Sequence, residues 1–189
     1  MTATTTAGPD SSAALSTYYL LRAGVSIAWV VLAFSVGTNN PAIASLLIVL
    51  YPAWDALANV LDARANGGLR QNRVQATNAL ISGLATVAMA LALGGGFNTV
   101  IAVFGVWAAL AGLLQLVTGM ARWQRYGAQW AMILSGAQSM LAGGFFVVQA
   151  QGPAALTIAA AAGYAAFGAF YFLVSALWLK VRPARAQRA

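Results

Sequence analysis

Tyr51, Asp55, Asn59 and Asp62 fall at i, i+4, i+8 and i+11. On a helix of 3.6 residues per turn this spacing puts all four on one face. Two carboxylates, an amide and a phenol on one face are the makings of a titratable site or a polar pathway. Their setting is unusual, because the segment that carries them, IASLLIVLYPAWDALANVLDARANGG, is otherwise largely apolar. An ionised aspartate at the centre of a bilayer costs about 2.5–3.5 kcal/mol on insertion scales. Asp62 is expected at the inner interface, where that cost is small. Asp55 lies about two turns deeper and needs a partner, water or a proton.

Arg22 can be that partner. If the chain folds back near Asn39, residues at equal depth have numbers summing to about 78, which sets Arg22 beside Asp55 or Ala56. An interhelical Arg22–Asp55 ion pair is therefore predicted. Such a pair pins the register of two helices, or it forms part of a titratable site. The third outcome is no contact, with Arg22 extended to the interface. Pro52, one turn before Asp55, cannot donate to the carbonyl of Ile48 and predicts a kink. A freed carbonyl near a carboxylate could hold a cation or a water, although such a proline is also a plain packing bend. Ser82, Thr86, Gln115, Ser135, Gln138, Ser139, Tyr164, Tyr171 and Ser175 are expected to be interhelical hydrogen bonders.

The elements that must position these residues are six apolar stretches, at about 17–37, 41–62, 77–95, 98–120, 128–149 and 154–180. Each is near the length needed to cross about 30 Å of hydrocarbon. Short turns rich in Gly, Asn or Pro (GTNNP, GGGFN, QAQGP) follow the first, third and fifth, and carry no charge. The basic residues follow the second, fourth and sixth: Arg64, Arg70 and Arg73, then Arg122 and Arg125, then Lys180, Arg182, Arg185 and Arg188. This is the positive-inside pattern of a multi-pass protein with both termini in the cytoplasm. Tyr18, Tyr19, Trp123, Tyr126, Trp130 and Trp178 are expected in an interfacial aromatic belt at the inner boundary. Residues 1–16 lack the features of a signal peptide and read as a disordered cytoplasmic tail. Residues 181–189 read as a basic cytoplasmic tail, leaving 17–180 as the membrane domain.

Composition narrows the function. The chain has 189 residues, is 61% hydrophobic and 7% charged, and contains neither Cys nor His. Thiol chemistry, imidazole bases and the usual zinc and haem ligands are thereby removed. Three acids, Asp10, Asp55 and Asp62, do not suffice for a carboxylate metal cage. No catalytic residue, cofactor or metal is expected, and the protein is not expected to be an enzyme. The net charge of +7 is confined to loops and a tail, so it marks topology rather than nucleic-acid binding.

The fold class expected is all-α, a polytopic membrane protein with six transmembrane helices arranged as three repeated helical hairpins. The first helices of the hairpins align at Ala23-Gly24, Ser82-Gly83 and Ser135-Gly136, and their partners at Asn59, Gly112 and Gly168. On that register Asp62, Gln115 and Tyr171 coincide. Helix packing should rest on small residues, among them Ala108 and Gly112 in the fourth span and many alanines in the sixth. These serve packing within one chain, or a homodimer face.

The runs YPAWDALANVLDARANGG, FGVWAALAGLLQLVTGMARW and YGAQWAMILSGAQSMLAGGFF resemble the bacterial HdeD-type proteins, over about residues 17–180. The resemblance implies a small six-span protein of the bacterial inner (plasma) membrane, built of short repeats, and it suggests a stress- or acid-resistance-associated role. It brings no catalytic residues. The leading expectation is a non-enzymatic integral inner-membrane protein, HdeD-like, with an accessory role. The alternatives are a small transporter or channel using the polar face with Asp55, and a structural subunit of a larger membrane complex. The partners considered are membrane lipids, a second copy of the chain and another membrane protein.

Overall fold

The computed structural model describes residues 9–124 and 129–181. Six helices follow one another: α1 (Pro9–Ser35), α2 (Pro41–Ala65), α3 (Arg73–Ala92), α4 (Phe97–Arg122), α5 (Gln129–Gln149) and α6 (Ile158–Val181). There is no strand among the described residues. All six are long and apolar enough to cross a membrane, and the protein is a multi-pass membrane protein. Its outer surface is consistent with that, because Leu80, Leu84, Val87 and Leu91 of α3 and Leu141 and Val148 of α5 face outward. Leu91 and Leu141 are each 77% exposed, a surface that lipid solvates and water does not.

The helix ends follow local chemistry. Asn40 caps α2: its Oδ1 accepts from the backbone N–H groups of Ala42 and Ile43, and Pro41 occupies the first turn. Gly67 and Gly68 take positive φ, 97° and 92°, and turn the chain between α2 and α3. Between α5 and α6 the chain is held by Asn98, whose side chain donates to the carbonyl of Ala154 and accepts from the N–H of Leu156.

The boundaries differ from the expected spans most at the starts of α1, α3 and α6, and α3 begins at Arg73 rather than at 77. α1 begins at Pro9, so residues 9–16 are helical rather than part of a tail, and Leu15 and Ser16 are buried against α6. α6 begins at Ile158, not at 154, because the Asn98 clamp holds the preceding residues in a loop. The rest of both expected tails, and Arg125 and Tyr126, lie outside the described residues.

Packing also departs from simple hairpins. The most extensive contacts join α4 to α5, α1 to α6 and α2 to α3, whereas α1 and α2 touch little despite their short turn. The α4–α5 pair owes its closeness to glycine. Gly105, Gly112 and Gly119 recur every seven residues on α4, and Gly136 and Gly143 do so on α5. A Cβ at Gly112 would lie 2.7 Å from the carbonyl oxygen of Gly136, and one at Gly136 would lie 2.6 Å from that of Gly112. No side chain fits there, so the two backbones are in contact. The small residues of α4 thus serve packing within the chain, and Gly112 does so with Gly105 and Gly119 rather than only with Ala108. On α6 the buried residues include Ala161, Ala162, Ala165, Ala169 and Ala176.

The interior has two apolar zones. Near the uncharged end Trp29, Ile48, Met89, Phe104, Trp107 and Phe146 form the larger one. Near the arginine-bearing end Leu15, Tyr19, Met132, Phe172 and Leu179 form the smaller. Polar side chains lie between and beside them.

Candidate functional site: a polar cavity within the bundle

The face of α2 that carries Tyr51, Asp55, Asn59 and Asp62 points into the bundle, and all four residues are at least nine-tenths buried. They line a central cavity of about 70 Å³ together with residues of the other five helices. A cavity of this size has room for ordered water.

Asp55 is its centre. Arg22 Nη2 donates to Asp55 Oδ1, the ion pair expected from equal depth on α1 and α2. The other carboxylate oxygen, Oδ2, accepts from Asn59 Nδ2 at 3.0 Å and from Ser82 Oγ at 2.8 Å. Ser82 in turn accepts from Trp107 Nε1 at 2.9 Å. One carboxylate therefore ties α1, α2 and α3 together, and α4 is joined to it through Ser82. Arg22 has further support: Nη1 donates to the Tyr18 hydroxyl at 3.1 Å, and its guanidinium carbon sits 4.4 Å from the ring centroid of Phe172. A charge that would be costly alone is thus paired, hydrogen-bonded and stacked.

Asp62 lies one turn before the end of α2 and is 5% exposed, buried inside the bundle rather than open at its surface. Its Oδ2 accepts from Arg122 Nη2 at 2.7 Å, and its Oδ1 from Asn66 Nδ2 at 3.0 Å. Arg122, expected to do no more than orient the protein, therefore forms a second ion pair. The physical reason is geometric: α2 and α4 end at the same side of the bundle, close enough for the arginine to turn inward. Two sequence signals pointed there. The stretch DALAN at Asp55–Asn59 repeats as DARAN at Asp62–Asn66, so each aspartate has an asparagine one turn on. Arg122 also closes α4 at the same end of the bundle as Asp62.

Tyr51 is placed among aromatic rings, 4.6 Å from Trp29, 5.8 Å from Trp107 and 6.4 Å from Phe104 between centroids. Phe104 also meets Phe146 and Tyr164. These rings close the cavity toward the uncharged end. Trp29 Nε1 donates to the carbonyl of Leu47 at 2.8 Å, next to Ile48, whose carbonyl receives no helical bond from Pro52.

Toward the arginine-bearing end the cavity is lined by Gln75, Asn78, Gln115, Thr118, Gln129 and the Asp62–Arg122 pair. There it adjoins a polar vestibule of about 220 Å³ with Asn66, Asn72 and Thr118 in its wall. Gln75, Thr118 and Arg122 line both spaces, so the second ion pair stands between them. Asn78 Nδ2 donates to Asn59 Oδ1 at 3.3 Å. Asn78 Oδ1, Trp54 Nε1 and Arg22 Nε are buried beside the cavity with no hydrogen-bond partner among the described residues. Gln75, Asn78, Trp54 and Trp107 were not singled out from sequence. Each resembles an ordinary core or loop-proximal residue until the helices are assembled.

Two of the tyrosines expected in the aromatic belt have partners within the bundle. Tyr19 is 3% exposed and packs on Phe172 inside the bundle, and Tyr18 is occupied with Arg22. Trp123 is exposed, and the partly exposed Trp130 and Trp178 meet edge to face at 5.9 Å. Asn59, Gly112 and Gly168, the three positions aligned across the expected repeats, all line the central cavity. Of the other polar residues singled out from sequence, Tyr164 donates to Ser139 Oγ and Tyr171 to Gln138 Oε1. The chain matches no family model, no curated protein and no solved structure.

Proposed function

We propose that this protein is a small transporter or channel of the bacterial inner membrane, with no enzymatic activity, and that Asp55 is the charged centre of its binding cavity. The observation that carries the reading is the polar cavity itself. It lies inside membrane-spanning helices, holds two ion pairs, and presents the unpaired donors Arg22 Nε and Trp54 Nε1 with the unpaired acceptor Asn78 Oδ1. A bundle needing only packing would fill such a space with apolar side chains. The pairs balance in charge, which suits protons, water or a small neutral polar molecule. The arginines at one end of the bundle support an orientation with both termini in the cytoplasm.

The resemblance to HdeD-type proteins supports a stress-associated accessory role alongside this one, and the common cavity position of Asn59, Gly112 and Gly168 supports the repeat. In a purely structural subunit the two ion pairs would serve only to hold the helices in register.

Proteoliposomes decide between transport and structure. Proton entry is followed with a trapped pH-sensitive dye, and urea uptake by light scattering. The expected result is faster entry of at least one of the two than in empty liposomes, lost in an Arg22→Gln, Asp55→Asn double variant, which leaves no buried charge unpaired and elutes like the parent. If neither probe moves faster with the parent protein, the transport reading fails and the structural one stands.

A further inference from the structure

The α5–α6 side of the bundle carries a second space. A groove of about 370 Å³ runs between these helices, which pack less extensively on each other than either does on its other neighbour. On α6 its wall is built from Ala159, Ala160 and Gly163, where a Cβ on Gly163 would meet nothing within 4 Å. Phe146 and Phe167 add apolar surface. Its polar groups are Ser135 and two hydrogen-bonded pairs, Tyr164 to Ser139 at 3.2 Å and Tyr171 to Gln138 at 2.9 Å. No charged residue lines it. Ser135, Ser139, Tyr164 and Gly168 line both this groove and the central cavity, so the Tyr164–Ser139 pair stands between the two.

We propose that the α5–α6 groove is a lateral binding site for an uncharged amphiphile of the bilayer, with its apolar chain along α6 and its polar end at Ser139 and Gln138. Three features select that occupant. The groove runs between two membrane-spanning helices, from the first turn of α6 to its midpoint, so its open side meets hydrocarbon. Residues 159–171 of α6 extend about 18 Å along the helix, which suits an extended chain. The polar groups are hydroxyls and an amide, which pair with a hydroxyl, carbonyl or protonated carboxyl but leave an ionised headgroup without a counter-charge. This site does not depend on whether the central cavity moves a solute, and its test reads binding rather than flux.

The probe is hexadecanol carrying a photoreactive diazirine in its chain, added to the whole protein in liposomes, with labelled positions mapped by mass spectrometry. Label is expected to concentrate on residues 138–146 and 159–171, roughly tenfold above the lipid-facing side of α3, a preference of about 1.4 kcal/mol. Gly163→Trp fills the groove and should return the label to the α3 level. Tyr171→Phe, which fills nothing, should shift it away from Gln138. Even labelling of α3 and the groove overturns the proposal. So does equal labelling of the groove by the corresponding hexadecyl phosphate. Disulfide-linked dimers from Ala160→Cys in this otherwise cysteine-free chain would assign the groove to a second copy and overturn it too. Specific labelling together with absent solute flux would leave this site standing and remove only the transport reading.

Discussion

Asp55 and Asp62 lie seven residues apart on one face of α2 and share two kinds of contact. Each accepts from an asparagine side chain four residues on, Asn59 or Asn66, and each pairs with an arginine from another helix, Arg22 of α1 or Arg122 of α4. α2 is therefore cross-linked at two depths to two different helices, about 10 Å apart along its axis. The deeper pair sits at the heart of the cavity and the shallower one stands at its entrance from the vestibule.

The deeper pair should be strongly coupled. Removing one partner leaves the other charge buried, which costs about 3–5 kcal/mol, whereas removing both leaves no orphan charge. A double-mutant cycle on Arg22→Ala and Asp55→Ala, read by reversible unfolding in detergent, should give a coupling of about 1–3 kcal/mol. Additive losses would mean that the contact contributes nothing of its own.

The shallower pair should control access. With Ser135→Cys as the single thiol, Arg122→Gln is expected to speed labelling by a water-soluble thiol reagent roughly tenfold, the factor set by about 1.4 kcal/mol of lost closure. An unchanged labelling rate would show that Asp62 and Arg122 do not stand between vestibule and cavity.

Neighbouring glycines of α5 should behave oppositely. A side chain at Gly143 would run into the backbone and Cβ of Ala109, whereas one at Gly144 meets nothing within 4 Å. Gly143→Leu should abolish the monodisperse folded protein by overpacking, an effect of about 1–3 kcal/mol or more, while Gly144→Leu elutes and melts normally. Equal tolerance of both would contradict the contact between the α4 and α5 backbones.

Trp107 reaches Asp55 only through Ser82. Trp107→Phe keeps most of the ring but removes the indole donor. The expected loss is about 0.5–1.5 kcal/mol in thermal or denaturant unfolding, and Ser82→Ala should abolish the difference between Trp and Phe at position 107. A Phe penalty that persists without Ser82 would assign it to packing alone.

Much of this arrangement was legible in the chain. Six apolar stretches separated alternately by uncharged turns and basic loops specify six helices, because helices alone satisfy the backbone in hydrocarbon at that length. The i, i+4, i+8, i+11 spacing places one polar face on α2, and equal depth across the short α1–α2 turn brings Arg22 to Asp55. These are local quantities, set by rise per residue and by the nearest turn. What lay beyond them depends on contacts between helices distant in sequence. Arg122 meets Asp62 across sixty residues, Ser82 and Trp107 join Asp55 from α3 and α4, and Tyr19 turns inward onto α6. In hydrocarbon an apolar surface gains little by facing another helix rather than lipid, so hydropathy says little about which helices adjoin. That choice fell to close backbone approach at Gly112 and Gly136 and to the ion pairs themselves, and only the assembled bundle displays both.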